Sequence, residues 1–189
     1  MKTERGLQFE QSKEMLGHQI ESKVADFMKG SFDCIDKIEK TFHGGVNDKK
    51  GIDIVITFED GSRMAIDITS GTGWKVDKKI ESMARSPLVG VEAEIGTDGE
   101  TSIEKSKSLV PRGLIRANDK RWDEYNVETI DDEVIVYMPD NVRIAEEKDI
   151  LQQLTKQIDY LARDNSEYKK STLGIKKMLL SALEEVEKL

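Results

Sequence analysis

One cysteine, three prolines and two histidines stand among 189 residues, and each scarcity removes an option. Cys34 alone cannot close an intrachain disulfide, so a packed core must hold the fold, and a lone thiol fits a reducing compartment. No apolar run approaches the roughly 20 residues that a membrane span needs. The opening MKTERGLQFEQSKE lacks the apolar centre of a secretory leader. A soluble, cytoplasmic protein without membrane contact is the expectation. Positive charge is short too: 29 Lys and Arg against 37 Asp and Glu leave a net −8. That excludes a surface coated in positive potential, though not a local basic groove. Aromatics are few, yet 37% hydrophobic residues suffice for the core of one domain.

What is present is organised around Lys49–Gly71. Two runs rich in β-branched residues, Ile52–Phe58 and Arg63–Thr69, flank Glu59-Asp60-Gly61. A three-residue loop with Gly61 in the left-handed conformation sets Phe58 opposite Ser62, Ile56 opposite Met64, Ile54 opposite Ile66 and Ile52 opposite Ile68. One face is then nearly all apolar. The other carries Asp53, Val55, Thr57, Arg63, Ala65, Asp67 and Thr69. A two-residue loop would mix the faces, so patterning selects the longer one. In this register Asp53 and Asp67 oppose each other with Cβ atoms roughly 5 Å apart, and like charges so placed need an offset. A divalent cation, a shared proton or a nearby Lys or Arg would supply it.

Elsewhere, Leu16, Ile20, Val24 and Phe27 mark a helix over about residues 7–30 that carries Glu21 on its flank and turns His18 towards solvent. Ser31–His43 reads as a strand around Ile35–Phe42, because a hairpin strand follows it. After the hairpin, Thr72 is placed to cap a helix over Trp74–Ala84, with Lys75, Lys78 and Lys79 along one side. Val89–Ile95 is a possible short strand. Glu100–Arg121 concentrates Lys105, Lys107, Arg112, Arg116, Lys120 and Arg121, a contact surface for phosphates or simply a solvated loop. The run Val134–Met138 predicts a strand buried on both faces. Two amphipathic helices close the chain, one through Ile150, Leu154, Ile158 and Leu161, the other through Ile175, Leu179, Leu183 and Val186. They would pack on the sheet or form a homodimer surface.

The succession helix, strand, Gly51-Ile52-Asp53 opening a strand, a turn, then Ile66-Asp67-Ile68-Thr69 closing the next resembles the PD-(D/E)XK nuclease superfamily. The resemblance covers about residues 10–139. It implies an α/β fold with a restriction-endonuclease-like αβββαβ core and a mixed central sheet, over residues 1–145. Residues 146–189 would be a C-terminal helical extension. Carried over by position, Asp53, Asp67, the Ile68 carbonyl and the helical Glu21 imply a site for Mg²⁺ or Mn²⁺. Thr69 stands where the family usually places Lys, the residue that orients the attacking water and stabilises charge at the phosphate. Lys75, Lys78 and Lys79 are the neighbours able to replace it. The catalytic set expected on this basis is Glu21, Asp53, Asp67 and Thr69 with Lys75 and Lys78. The basic segment would guide the nucleic acid.

The function implied is divalent-metal-dependent phosphodiester hydrolysis, of DNA sooner than RNA. The alternative is a non-catalytic nucleic-acid-binding or assembly protein on a degenerate nuclease fold. Thr69, the acidic net charge and the long closing helices favour that alternative.

Overall fold

The hairpin forms in the register that its apolar pattern dictates. A computed structural model describes residues 4–69, 73–96, 101–117, 126–130, 133–137 and 146–188, with side chains for 17–69, 73–96, 102–117 and 146–188. In it β2 (Ile54–Phe58) and β3 (Arg63–Thr69) pair antiparallel, with Ile54 opposite Ile66 and Ile56 opposite Met64. Gly61 takes φ +78°, and its N–H donates to the Phe58 carbonyl at 2.8 Å, closing the three-residue loop.

The ladder stops two pairs short of expectation, at Ile54–Ile66. Ile52 does not pair with Ile68; its N–H goes to the Asn47 carbonyl at 3.1 Å, and Asp53 N–H donates to Ile66 O at 2.9 Å. Ile52 consequently packs with Val55, Ala65, Val91, Ile103 and Val110, not with the isoleucine face. The short helical turn Asp48–Lys50 immediately before it redirects the chain. The expected ladder pair Asp53–Asp67 is therefore not a β pair, although the two side chains still meet, as described below.

Upstream, α1 (Glu4–Ser31) leads into β1 (Ile35–Lys40), which pairs antiparallel with β2. Downstream come α2 (Gly73–Arg85), the short strands β4 (Leu88–Val89), β5 (Glu94–Ile95) and β6 (Thr101–Ile103), and then β7 (Val110–Arg116). The main sheet has the order β1-β2-β3-β7-β4, with β7 parallel to β3 and every other pair antiparallel. It is thus an α/β fold around a mixed sheet of five strands. A second hairpin, β8 (Asn126–Ile130) with β9 (Glu133–Tyr137), forms its own two-stranded sheet.

Two expectations change here. The strand beside β3 is Val110–Arg116, inside the segment read as basic loop, whereas β9 stands outside the main sheet. Pro111, Gly113 and two arginines disguised β7. Each has a local reason: Pro111 lies near the strand start against the short β4, where a missing N–H is tolerated. A Cβ at Gly113 would meet Met64 Cε at 2.7 Å and Ile66 Cδ1 at 2.9 Å. The Asp67-facing Arg112 is held from inside, as shown below. The burial expected of Val134–Met138 lies outside the described side chains.

The closing helices α3 (Glu147–Leu161) and α4 (Ser166–Val186) are part of the same core as the sheet. Ile150, Leu151, Leu154, Ile158, Ile175 and Leu179 pack with Ile20, Val24 and Met28 of α1 over the isoleucine face of the hairpin. Helix α3 does more than cover. Gln157 accepts from Leu114 N at 2.8 Å and donates to Leu114 O at 2.6 Å. Gln153, one turn earlier, does the same for Arg116 at 2.8 and 3.3 Å. Beyond the two-residue β4, these amides replace the missing neighbour strand of β7 and satisfy backbone groups that would otherwise be orphaned. Among the described residues no helix is long and apolar enough to cross a membrane.

Candidate functional site

Asp53 and Asp67 sit where the β2–β3 ladder ends. Because Asp53 leaves the ladder, its Oδ2 is available to accept from Ile68 N at 2.5 Å, a side chain standing in for the lost backbone acceptor. Asp67, on β3 between strands β2 and β7, is buried, and Lys79 of α2 donates to its Oδ1 at 2.6 Å. The two carboxyls lie close enough that each shifts the other's titration. Burial first, and then the charge of Asp67, push Asp53 up to about 7; the Ile68 N–H opposes this. Burial raises Asp67 as well, against the pull of Lys79 and Arg112. Two buried carboxyls side by side resist ionising together, which is why both are raised.

Glu21 approaches from α1. It lines, with His18, Lys40, Thr41 and Asp53, a cleft of about 130 Å³ at the open end of the hairpin. Burial raises its pKa, the hydrogen bond from His18 opposes that, and the charges of Asp48 and Asp67 raise it further. All three expected acidic residues therefore feel one another.

The lysine question has a geometric answer. Lys79 reaches the acid pair. Lys75 and Lys78 are exposed and lie over the ring of Trp74, 5.9 and 4.9 Å from its centre. Thr69 is buried at the end of β3, and its carbonyl accepts from Ala117 N at 2.8 Å. The expected cap Thr72 lies outside the described residues.

The basic segment is dispersed. Arg112 turns inward, donating to Lys50 O at 3.0 Å and lending its charge to Asp67. Arg116 is half-buried on β7. Lys105 and Lys107 lie on the loop before β7, and Lys120 and Arg121 are outside the described residues.

Three residues near the acids escape sequence reading. His18, expected to face solvent, has Nδ1 3.1 Å from Glu21 Oε2, and its ring meets that of His43 edge-on at 4.2 Å. The chain's two histidines thus converge from a helix and a loop. His43 also approaches Asp48 at 3.6 Å. The i, i+3 spacing of His18 and Glu21 was the available sign of their contact.

A cation is a chemically reasonable guest for such a place. Two buried oxygen-donor carboxylates, each with one oxygen already engaged, suit an ion that takes one or two protein carboxylates and keeps its waters, as Mg²⁺ does. Among the described residues no three His, Cys, Asp or Glu side chains group closely enough to hold a metal by themselves. The donor set is then Asp53 and Asp67, with Glu21 at longer range. No family model matches the chain, and neither a curated protein nor a solved structure matches it.

Proposed function

We propose that the chain is a divalent-metal-dependent nuclease that hydrolyses phosphodiester bonds, in DNA sooner than RNA, on a restriction-endonuclease-like core. The observation that carries the reading is the placement of Lys79 on Asp67, beside Asp53, at the end of the hairpin. It supplies from α2 the positive charge that Thr69 does not. The order α1, β1, β2, β3, α2, β7, with β7 parallel to β3, is similar to an αβββαβ core and supports the reading.

Asp53 and Asp67 would hold Mg²⁺ or Mn²⁺, which when bound neutralises phosphate oxygens and acidifies water. Both carboxyls must be ionised to do so, which their burial opposes. Lys79 then meets the negative charge that builds on the phosphate oxygens as water attacks phosphorus and the bond to the leaving oxygen breaks. Glu21, held by His18, keeps a carboxylate across the cleft where it can accept a hydrogen bond from that water.

The second reading, a nucleic-acid-binding or assembly protein without cleavage, has one observation in its favour. Lys79 and Ile68 N–H already engage one oxygen of each aspartate, so the site is partly self-neutralised. Calorimetric titration with Mg²⁺ and Mn²⁺, followed by cleavage of labelled DNA and RNA, separates the two. Binding and cleavage that are both lost in Asp53→Ala support the nuclease. Absence of metal binding in the wild type removes it.

A further inference from the structure

A second concave site lies at the opposite end of β3, by the hairpin turn. It is a cavity of about 440 Å³ between the loop that precedes β7 and the start of α4. Its wall is made by the alternating stretch Lys105-Ser106-Lys107-Ser108, with Arg63 behind it and Ser171 of α4 facing it. Lys105 and Lys107 bring ammonium groups and Ser106 and Ser108 hydroxyls to this wall, donor chemistry that suits a phosphate, while the Ser171 hydroxyl donates to Glu167 O of its own helix at 2.9 Å. We propose that this cavity binds a phosphate monoester dianion.

The loop is fixed before any ligand arrives. Arg63 donates through one terminal nitrogen to Glu104 O at 3.0 Å and Ser106 Oγ at 2.6 Å, and through the other to Glu39 Oε2 at 2.6 Å. Ser106 N–H donates to Val91 O at 3.1 Å. A pre-ordered loop spares a ligand the entropy of arranging it.

The charge balance leaves room for an anion. Glu39 and Glu104 are matched by Arg63 and Lys37. Lys105 touches Glu92 at 3.3 Å through a largely exposed side chain that is free to swing away. Lys107 is exposed and has no bonding partner among the described residues. Arg63 Nε is buried without a hydrogen-bond partner, an uncommon state for a guanidinium donor. Leu109, 54% exposed, and Pro111 add an apolar side on which the organic part of a monoester would rest.

The site is separate from the acid pair and needs no metal, so it is tested in EDTA. Inorganic phosphate and a nucleoside monophosphate are titrated by calorimetry and by amide chemical shifts, with chloride at equal ionic strength as control. Saturable binding with a Kd of about 1 mM or tighter is expected, with shifts centred on residues 105–109. Tighter binding of the nucleotide supports the monoester and assigns the apolar side to its nucleoside; equal binding leaves that side unused and overturns the monoester assignment. Lys105→Ala/Lys107→Ala should weaken binding about 10-fold or more, while Lys75→Ala/Lys78→Ala, an equal charge change on α2, leaves it within about 2-fold. Asp53→Asn should bind normally even if it abolishes cleavage, which keeps this site's failure distinct from that of the nuclease. No saturable binding, equal response to chloride, or equal loss in the two double variants would overturn the proposal.

Discussion

Asp53 carries a cost that depends on pH. Unfolded, it titrates near its ordinary 3.8; folded, at about 7. Between those values the folded chain binds the extra proton, so stability from this residue is full below about pH 4, declines as pH rises and is gone above about 7. Asp53→Asn removes the cost and keeps an oxygen for Ile68 N–H. In EDTA at pH 8 the variant should be more stable than the wild type by about 1–3 kcal/mol. The difference should shrink as pH falls and vanish only below about pH 4. Urea melts across pH check this; a constant difference would place the effect elsewhere. Lys79 belongs to the same scale. Lys79→Met should cut metal-dependent cleavage by about 100-fold or more, while Lys75→Ala and Lys78→Ala each cost about 3-fold or less. Single-turnover rates on one labelled substrate measure it. Alternation fixed the hairpin register from Thr57–Arg63 to Ile54–Ile66, but not the end at which Asp53 leaves the ladder and meets Asp67 by its side chain. Sequence left three lysines because local spacing does not set how a helix after a chain break is rotated; Met83 and Ile80 pack beside Leu114, and Lys79 of the same helix reaches Asp67.

The elements divide the same way. The hairpin and the amphipathic helices were legible, since period 2 and period 3.6 survive any tertiary context. Strand β7 was not, because its residues answer to neighbours far away in sequence: Gly113 to Met64 and Leu154, Arg112 to Lys50 and Asp67, the Leu114 and Arg116 amides to α3. The glutamine pair is open to test. Gln157→Leu leaves the Leu114 N–H and carbonyl without partners and should cost about 1–3 kcal/mol. Gln153→Leu should do likewise at Arg116. Denaturation midpoints give the size, and amide exchange should quicken first at Leu114 and Arg116. Substitution of exposed Lys156 by Gln should change neither.

Across the whole molecule, the closing helices share one core with the sheet. Helices α3 and α4 contribute six fully buried side chains to the cluster that also holds the hairpin. A chain ending at residue 145 should therefore fail to fold: insoluble, or soluble with the far-ultraviolet signal of a disordered chain. A stable, cooperatively melting fragment would contradict that. The segment Leu109–Gly113, LVPRG, makes the converse point. It matches a protease recognition pattern as a string, yet it enters the middle of a sheet with Pro111 buried.

The glutamine clasp on β7 also has a bearing on how the protein is made. Arg116 leaves the ribosome roughly 40 residues before Gln157, an interval of about 2–8 s at ordinary rates of synthesis. During that interval β3 and β7 can find each other, but the far side of β7 has no covering beyond two residues of β4. Nascent chains on a crowded polysome would meet one another through that edge. Slower synthesis over residues 117–157 should then lower the yield of folded protein at unchanged final stability.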